Sequence, residues 1–316
     1  MSDLTPAASR LLAAHHGVIT GAHLRSSLVS KATAQRLVRV GVMRSPYKGV
    51  FVLASTPSTL EQRCAVLCAA HPSGFVTGPT AGMLLGLRRM PRETELHFSV
   101  RHGVHLDDER GVRLRQTTVL PVSHRTTRSD GITIASWSRV AFDLAADLRP
   151  LDHLSVVEQL LHDRRVTHEV LVAIGVRLCH PARRGSALYR DTISRLSPGA
   201  PNESHPEVVL AEVLRTRGVP VEHQTRLVRA NGGRTARVDL AVPGCRWGVE
   251  LDIHPQHRTL DGRANDARRE RDLHLLAWQI EPVTEQDMLD VPALTDELVA
   301  LYRARHREML ALPNAS

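Results

Sequence analysis

The sequence predicts an α/β protein of the α+β kind, with three segments at 1–56, 57–197 and 198–316. Three observations predict it. At 316 residues the chain exceeds one ordinary small domain and suits two or three. Runs of helical periodicity alternate with short β-rich stretches, punctuated by Gly, Pro and Ser. Hydrophobic residues make up 42% of the chain, enough for real cores, but only 3% is aromatic, so Leu, Val and Ala must fill them.

The first segment reads as three short helices and a hairpin. TPAASRLLAAHHG is helical and stops at Gly17; Thr20 caps GAHLRSSLV, and Ser30 caps KATAQRLVRVG, which stops at Gly41. VMRSPYKGVFVL follows as strand, turn, strand, with Pro46 and Gly49 making the turn. Three helices and a two-stranded wing, in that order, spell a winged helix-turn-helix. On the third helix Ala34, Leu37 and Val38 share one face, so Gln35, Arg36 and Arg39 point away from the core, with Lys31 at the helix start. Arg44 and Lys48 flank the wing, where a phosphate contact fits. A small helical domain with a solvated basic face is the alternative. "GVITGAHL", the basic helix and a wing ending "YKGVFVL" resemble the N-terminal antitoxin-type winged helix of the AbiEi family over about fifty residues. That resemblance implies DNA binding, at the protein's own promoter.

In the middle segment, TLEQRCAVLCAAH is helical, FVTGPTAGMLLGL is strand then helix, and ELHFSV and GVRLRQTTV are strands. GITIASWSRVAFDLAADL and LDHLSVVEQLLHD resume helical periodicity. His102 and His105 are spaced H-x-x-H in a polar loop without a third ligand and read as surface residues. Cys64, Cys68, Cys179 and Cys245 are too few and too irregular for a zinc or disulfide framework. SRLSPGAPNESHPE, rich in Ser, Pro and Gly, is the expected linker.

The last segment opens with an amphipathic helix, PEVVLAEVLRTRG, that carries Glu207 in its first turn and stops at Gly218. VPVEHQTRLV, TARVDLAV and CRWGVELDI follow as strands. If Gly244 and Cys245 form a two-residue type II′ turn, residue 243 pairs with 246 and Asp239 with Glu250. Opposed residues share a face, and Asp252, two positions on, joins them. Val238, Leu240, Val249 and Leu251 then pack the other face. Two carboxylates about 4 Å apart repel by roughly 4 kcal/mol at an effective dielectric near 20, so a cation is expected between them. Hard oxygen ligands favour Mg²⁺ or Mn²⁺. The competing reading pairs the carboxylates with arginines, Arg237 and Arg246 being nearest in sequence.

"RVDLAVP" followed by "VELD" and a His, behind a helix with Glu, resembles the PD-(D/E)XK nuclease fold. The likeness is closest to the branch related to very-short-patch-repair endonucleases, over roughly residues 203 to 290. It implies a restriction-endonuclease-like domain in which Asp239 and Glu250 hold a divalent metal, Glu207 contributes from the first helix, and DNA phosphodiesters are hydrolysed. Two departures stand out. Asp252 occupies the place of the usual lysine, as it does in related branches, and no lysine lies beyond residue 48; Ile253 stands where that branch commonly has Gly. A neutral His can act as a base near neutral pH, which makes His257 the expected substitute, with His254 second. These two histidines also read as a zinc pair, though without a cysteine partner. Arg268, Arg269 and Arg271 follow on a helix, interleaved with Glu270 and Asp272; phosphate contact and an ordinary solvated face fit them equally. VPALTDELVALYRARHREML closes the domain as a helix.

The formal charge of +8 and pI near 10.1 suit a polyanionic partner. Lys31 and Lys48 are the only lysines, so nearly all the positive charge is guanidinium, the better phosphate fork. No stretch approaches the roughly 20 apolar residues of a membrane span. The N-terminus lacks a basic region followed by an apolar run, so no signal peptide is expected. A cytoplasmic, nucleoid-associated DNA-binding protein is the expectation, with double-stranded DNA as partner and a homodimer as its assembly. Three readings stand: a Mg²⁺-dependent endonuclease, an antitoxin-like transcriptional regulator with an inactive nuclease fold, and a module that neutralises a cognate toxin protein.

Overall fold

The computed structural model describes residues 4–91, 95–105, 111–196, 204–228, 236–252, 271 and 273–311, without the side chains of residues 236 and 252. The chain is α+β. It divides into two compact units, Met1–Arg149 with Val166–Ile193, and Pro150–Arg165 with Ser194–Ser316.

The first unit begins with α1 (Pro6–Ala14), β1 (Val18–Thr20), α2 (Gly21–Ser26), α3 (Lys31–Arg39), β2 (Met43–Tyr47) and β3 (Val50–Leu53). Each of the three helices starts at a hydroxyl that accepts a backbone N–H: Thr5 from Ala8, Thr20 from His23, Ser30 from Thr33. These caps satisfy donors that a helix start otherwise leaves unpaired. Ala8, Leu12, Ile19, Leu24, Val29, Ala34, Leu37 and Met43 form one buried cluster, against which Val38 packs. The strands form a sheet in the order β1-β3-β2.

The hairpin differs from expectation at Pro46. The turn is Lys48–Gly49, closed by Tyr47 opposite Val50, and Pro46 lies within β2 where the register shifts between Arg44 and Tyr47. Proline has no N–H to give a ladder, so it sits at the irregularity. There Ser45 Oγ donates to Tyr47 O at 3.1 Å and to Val50 O at 3.0 Å.

The unit continues with α4 (Leu60–Ala70), β4 (Phe75–Val76), α5 (Gly78–Leu84), β5 (Leu96–Arg101), β6 (Val112–Thr117), β7 (Arg125–Thr127), β8 (Thr133–Ala135) and α6 (Trp137–Leu144). The five strands make a mixed sheet in the order β6-β5-β4-β8-β7. The stretch GITIA, expected to be helical, is strand β8: Ile132 and Ile134 are fully buried and β8 pairs with both β4 and β7. Paired neighbours on both sides override a helical reading of so short an apolar run. After α7 (Pro150–His162), which belongs to the second unit, α8 (His168–Leu178) and α9 (Ser186–Arg195) follow.

The second unit packs α10 (His205–Thr216) and α11 (Val291–Ala311) on a sheet of β9 (Glu222–Leu227), β10 (Ala236–Val242), β11 (Trp247–Asp252) and β12 (Gln279–Thr284), ordered β12-β11-β10-β9. The β9, β10 and β11 neighbours are antiparallel, and β12 is parallel to β11. Leu210, Leu214, Leu240, Val242, Trp247, Val249, Val283 and Leu298 form the core under the helices, with α7 set against α10. On the other side Leu227, Val238, Ala241, Leu273 and Trp278 form a second cluster. Gly248 is required between them: a Cβ there would lie 2.7 Å from Val238 Cγ1 and 2.9 Å from Leu240 O. Among the described residues no helix is long and apolar enough to cross a membrane.

Candidate functional site

The hairpin of β10 and β11 has the expected register by a different turn. Leu240 lies opposite Val249, Ala241 opposite Gly248 and Val242 opposite Trp247, and the paired ladder ends there, one position short of Asp239 and Glu250. The loop is a 3₁₀ turn over Pro243–Cys245, and Arg246, not Gly244, takes the left-handed conformation at φ 49°. Arg246 N donates to Pro243 O at 3.1 Å, but Pro243 has no N–H to return the second bond of a ladder pair. The hairpin therefore closes one pair earlier, which leaves the register unchanged.

Alternation along β10 breaks beside Asp239. Val238 was expected to share the core face with Leu240; it packs instead with Ala241, Leu227 and Trp278 on the opposite side. The cause lies on β9. Gln224 adopts φ 50°, and the ladder that pairs Val238 with Thr225 and Leu240 with His223 skips the position between them. The skipped position is Gln224 opposite Asp239, so the strand rolls there and the two clusters claim successive residues.

That irregularity gathers polar groups from four elements. Asp239 is half-buried, and its Oδ2 accepts a hydrogen bond from Leu251 N at 3.1 Å, linking β10 to β11 beyond the last backbone pair. Glu250 is half-buried on β11, next to Leu251. Glu207, 6% exposed, lies in the first turn of α10; its Oε1 accepts from Ser204 Oγ at 2.8 Å and its Oε2 from Gln224 Nε2 at 3.2 Å. Gln224 is itself 8% exposed, and its Oε1 has no hydrogen-bond partner among the described residues. A buried amide oxygen with no donor beside carboxylates is a group suited to a cation or an ordered water.

Next to this set on β9, His223 Nε2 accepts a hydrogen bond from Arg215 of α10. Burial, and then the Arg215 charge, push the His223 pKa down from 6.5 to about 4, so the ring is neutral at physiological pH. Arg215 also donates to Val221 O at 3.1 Å, which ties the end of α10 to the start of β9.

The donor set fits a divalent ion in kind, being two half-buried carboxylates and an amide oxygen. Among the described residues, however, no group of three or more His, Cys, Asp or Glu side chains comes together closely enough to hold a metal. The Asp252 side chain and residues 253–270 lie outside the description, and with them His254, His257, Arg268 and Arg269. The backbone of Asp252 ends β11, opposite Thr284 of β12. Arg271 is exposed in a helical stretch.

In the first unit, Lys31, Gln35, Arg36 and Arg39 are all exposed on α3, and Lys48 is exposed in the hairpin turn. Arg44 is exposed too, but its Nη2 donates to Gln62 Oε1 at 2.8 Å, and Gln62 is buried at the start of α4. That guanidinium is tied to the body of the unit. Sequence reasoning missed Gln224 and the cap on α10. Nothing in EHQTRL marks Gln224, because its importance comes from the residue it faces. The Ser204–Glu207 spacing, S-x-x-E before an apolar run, was a legible sign of a helix start.

No family model matches the chain. It is 25% identical over 209 residues to two proteins of Mycobacterium tuberculosis, uncharacterized protein MT2308 of strain CDC 1551 / Oshkosh and uncharacterized protein Rv2248 of strain H37Rv. In both cases the match covers 65% of this chain and 75% of the relative. Among solved structures, the crystal structure of the Rv2827c protein from Mycobacterium tuberculosis is similar at a TM-score of 0.34 and 15% identity, over 61% of this chain and 86% of that one.

Proposed function

We propose that the chain is a DNA-binding protein whose second unit is a PD-(D/E)XK-like, metal-dependent DNA endonuclease domain, and whose first six elements are a winged helix that positions the substrate. The observation that carries the proposal is the set around Gln224. Asp239 lies at the ladder position facing Gln224, Glu207 is held by Ser204 and Gln224, and the buried Gln224 amide oxygen lacks a donor among the described residues. A Mg²⁺ or Mn²⁺ bound there would activate water and offset charge on the phosphate. Asp239 and Glu250 are the residues to hold it. Ser204 and Gln224 fix Glu207, which with both oxygens engaged acts as a positioning group for the site. His257 is the proposed base, and Asp252 takes the place of the lysine. For the winged helix, Lys31, Gln35, Arg36 and Arg39 on α3 supply the groove-facing set, and Lys48 supplies the wing contact.

The test compares wild type with Asp239→Ala on plasmid and mismatched duplexes in Mg²⁺ or Mn²⁺. Cleavage by wild type and its loss in the variant are expected; a wild type that cuts nothing, or a variant that cuts equally well, overturns the proposal.

A second reading is a non-catalytic, antitoxin-like transcriptional regulator that retains the fold. It is favoured by the absence of any lysine beyond residue 48 and by the full engagement of Glu207. In that reading α3 binds promoter DNA, as a homodimer or with a toxin protein, and promoter binding survives Asp239→Ala while no cutting occurs.

A further inference from the structure

The first unit holds a cavity of about 1170 Å³ that the proposed nuclease chemistry does not use. Its walls are β6, the face of α6, and the connection between α8 and α9. Six arginines line it, Arg113, Arg115, Arg139, Arg177, Arg183 and Arg184, against two aspartates, Asp143 and Asp147.

Both aspartates are already committed. Asp143 accepts from Arg139 Nε at 2.9 Å on each oxygen and from the Thr77 hydroxyl. Asp147 pairs with Arg115, with His97 Nδ1 3.8 Å away. These acids are part of the lining and neutralise Arg139 and Arg115 there. The arginines at the mouth are left over. Arg177 and Arg184 are exposed, and neither has a hydrogen bond or an ion pair among the described residues.

The third cation is held in place. Arg183 Nη1 donates to Leu178 O at 3.0 Å, and its guanidinium lies 5.9 Å from the centre of the Phe142 ring. Burial and the adjacent Arg139 both work against its charge. An anion in the cavity would relieve that cost. The loop carrying Arg183 and Arg184 is pinned at both ends. Ser186 Oγ accepts from His180 N at 3.1 Å, and Gly185, at φ 88°, lies so close to α6 that a Cβ would come within 2.7 Å of Ala146 N. A fixed loop presents its guanidinium groups without a large ordering cost, the condition under which binding is strong.

We infer that this cavity is a binding site for a compact polyphosphate, a small molecule of the nucleotide class, held by Arg177, Arg183 and Arg184. Several guanidinium groups with an excess over nearby acids suit phosphate oxygens, which they bind by paired charge-assisted bonds. The concave form suits a small ligand better than a duplex, which meets proteins over extended surfaces. Phe142 and Leu178 lie behind this lining, 2% and 1% exposed, so the guanidinium groups carry the recognition.

The experiment is calorimetric titration of the full chain with tripolyphosphate, ATP and a short DNA duplex, using wild type and the Arg177→Ala/Arg184→Ala variant. Expected is one-site binding of tripolyphosphate and ATP by wild type, weakened about tenfold for each guanidinium removed, with Tm unchanged. Tighter binding of ATP than of tripolyphosphate shows that the nucleoside is also contacted; equal binding assigns the site to phosphate alone, and both support the inference. No binding by wild type overturns it, as does equal binding by the variant. A duplex that binds and depends on the two arginines while tripolyphosphate does not bind also overturns it, because the surface then serves nucleic acid. If the double variant unfolds, Arg184→Gln alone, at an exposed residue without partners among the described residues, separates the same outcomes: weaker binding supports the inference and unchanged binding overturns it. None of these outcomes depends on whether the second unit cuts DNA.

Discussion

An amide that is 8% exposed, with its nitrogen on Glu207 and its oxygen unpartnered among the described residues, is costly to a fold. An unpaired buried acceptor is worth about 1–3 kcal/mol of lost stability, and Gln224 adds a left-handed backbone to that. Such strain is tolerated where a ligand compensates for it. If Asp239, Glu250 and the Gln224 oxygen take a divalent ion, then Mn²⁺ at about a hundred times its Kd stabilises the protein by about 2.7 kcal/mol. A thermal melt would register this as a Tm increase with wild type and none with Asp239→Asn; equal shifts in both would remove the metal from this site. Two other residues set a pH dependence. His124 in the first unit and His223 in the second have pKa values pushed from 6.5 down to about 4, in each case by burial first and a neighbouring arginine second. The folded state therefore holds both rings neutral, while the unfolded chain takes up protons at about pH 6.5. Their contribution to stability is complete above about pH 6.5 and is lost as the pH falls from there to about 4. Tm should drop across that window and His223→Gln should flatten the drop; a profile identical to that of wild type would assign the loss to other groups.

At the scale of elements, caps and strand pairings were legible to different degrees. Thr20 and Ser30 could be read directly, because an N-cap is a local event within three residues. The register of β10 on β11 was also legible from Leu240 to Val242, since register needs only one closing pair and the loop can vary around it. Pro46 and Val238 were not: Pro46 depends on a register shift inside its own hairpin that residue types do not mark, and Val238 on an irregularity in the ladder with β9. The α3 surface carries its own prediction. Replacing Arg36 or Arg39 with Ala should weaken DNA binding to a similar extent across sequences. Each such replacement that frees a phosphate should lower the slope of log K against log salt by about 1. Filter binding at several salt concentrations measures this; an unchanged slope would mean that α3 does not meet the backbone. Arg44, tied to Gln62, should contribute less than Arg39.

Across the whole molecule, the chain interleaves its units. It leaves the first unit after Arg149, contributes α7 to the second, and returns for α8 and most of α9. A fragment cut at the Ser-Pro-Gly stretch, residues 198–316, would thus lose a helix that packs on α10. Each aliphatic side chain of α10 uncovered in this way is worth about 1.5–3 kcal/mol. The fragment 198–316 should melt below a chain of 150–316, or aggregate; equal melting by circular dichroism would show that α7 is dispensable.

The sequence by itself determined what is local or periodic: the helix caps, the α+β class, the arginine-dominated charge, and the register of β10 on β11. Only the tertiary structure decided what depends on distant partners. It set Gln224 beside Glu207, moved Val238 to the other side of its sheet, assigned α7 to the second unit, and collected the six arginines of the cavity from separate helices, strands and loops. The physical reason is range. Caps and turns are settled within a few residues, whereas a buried polar group or a charged cavity exists only once elements distant in the chain have packed together.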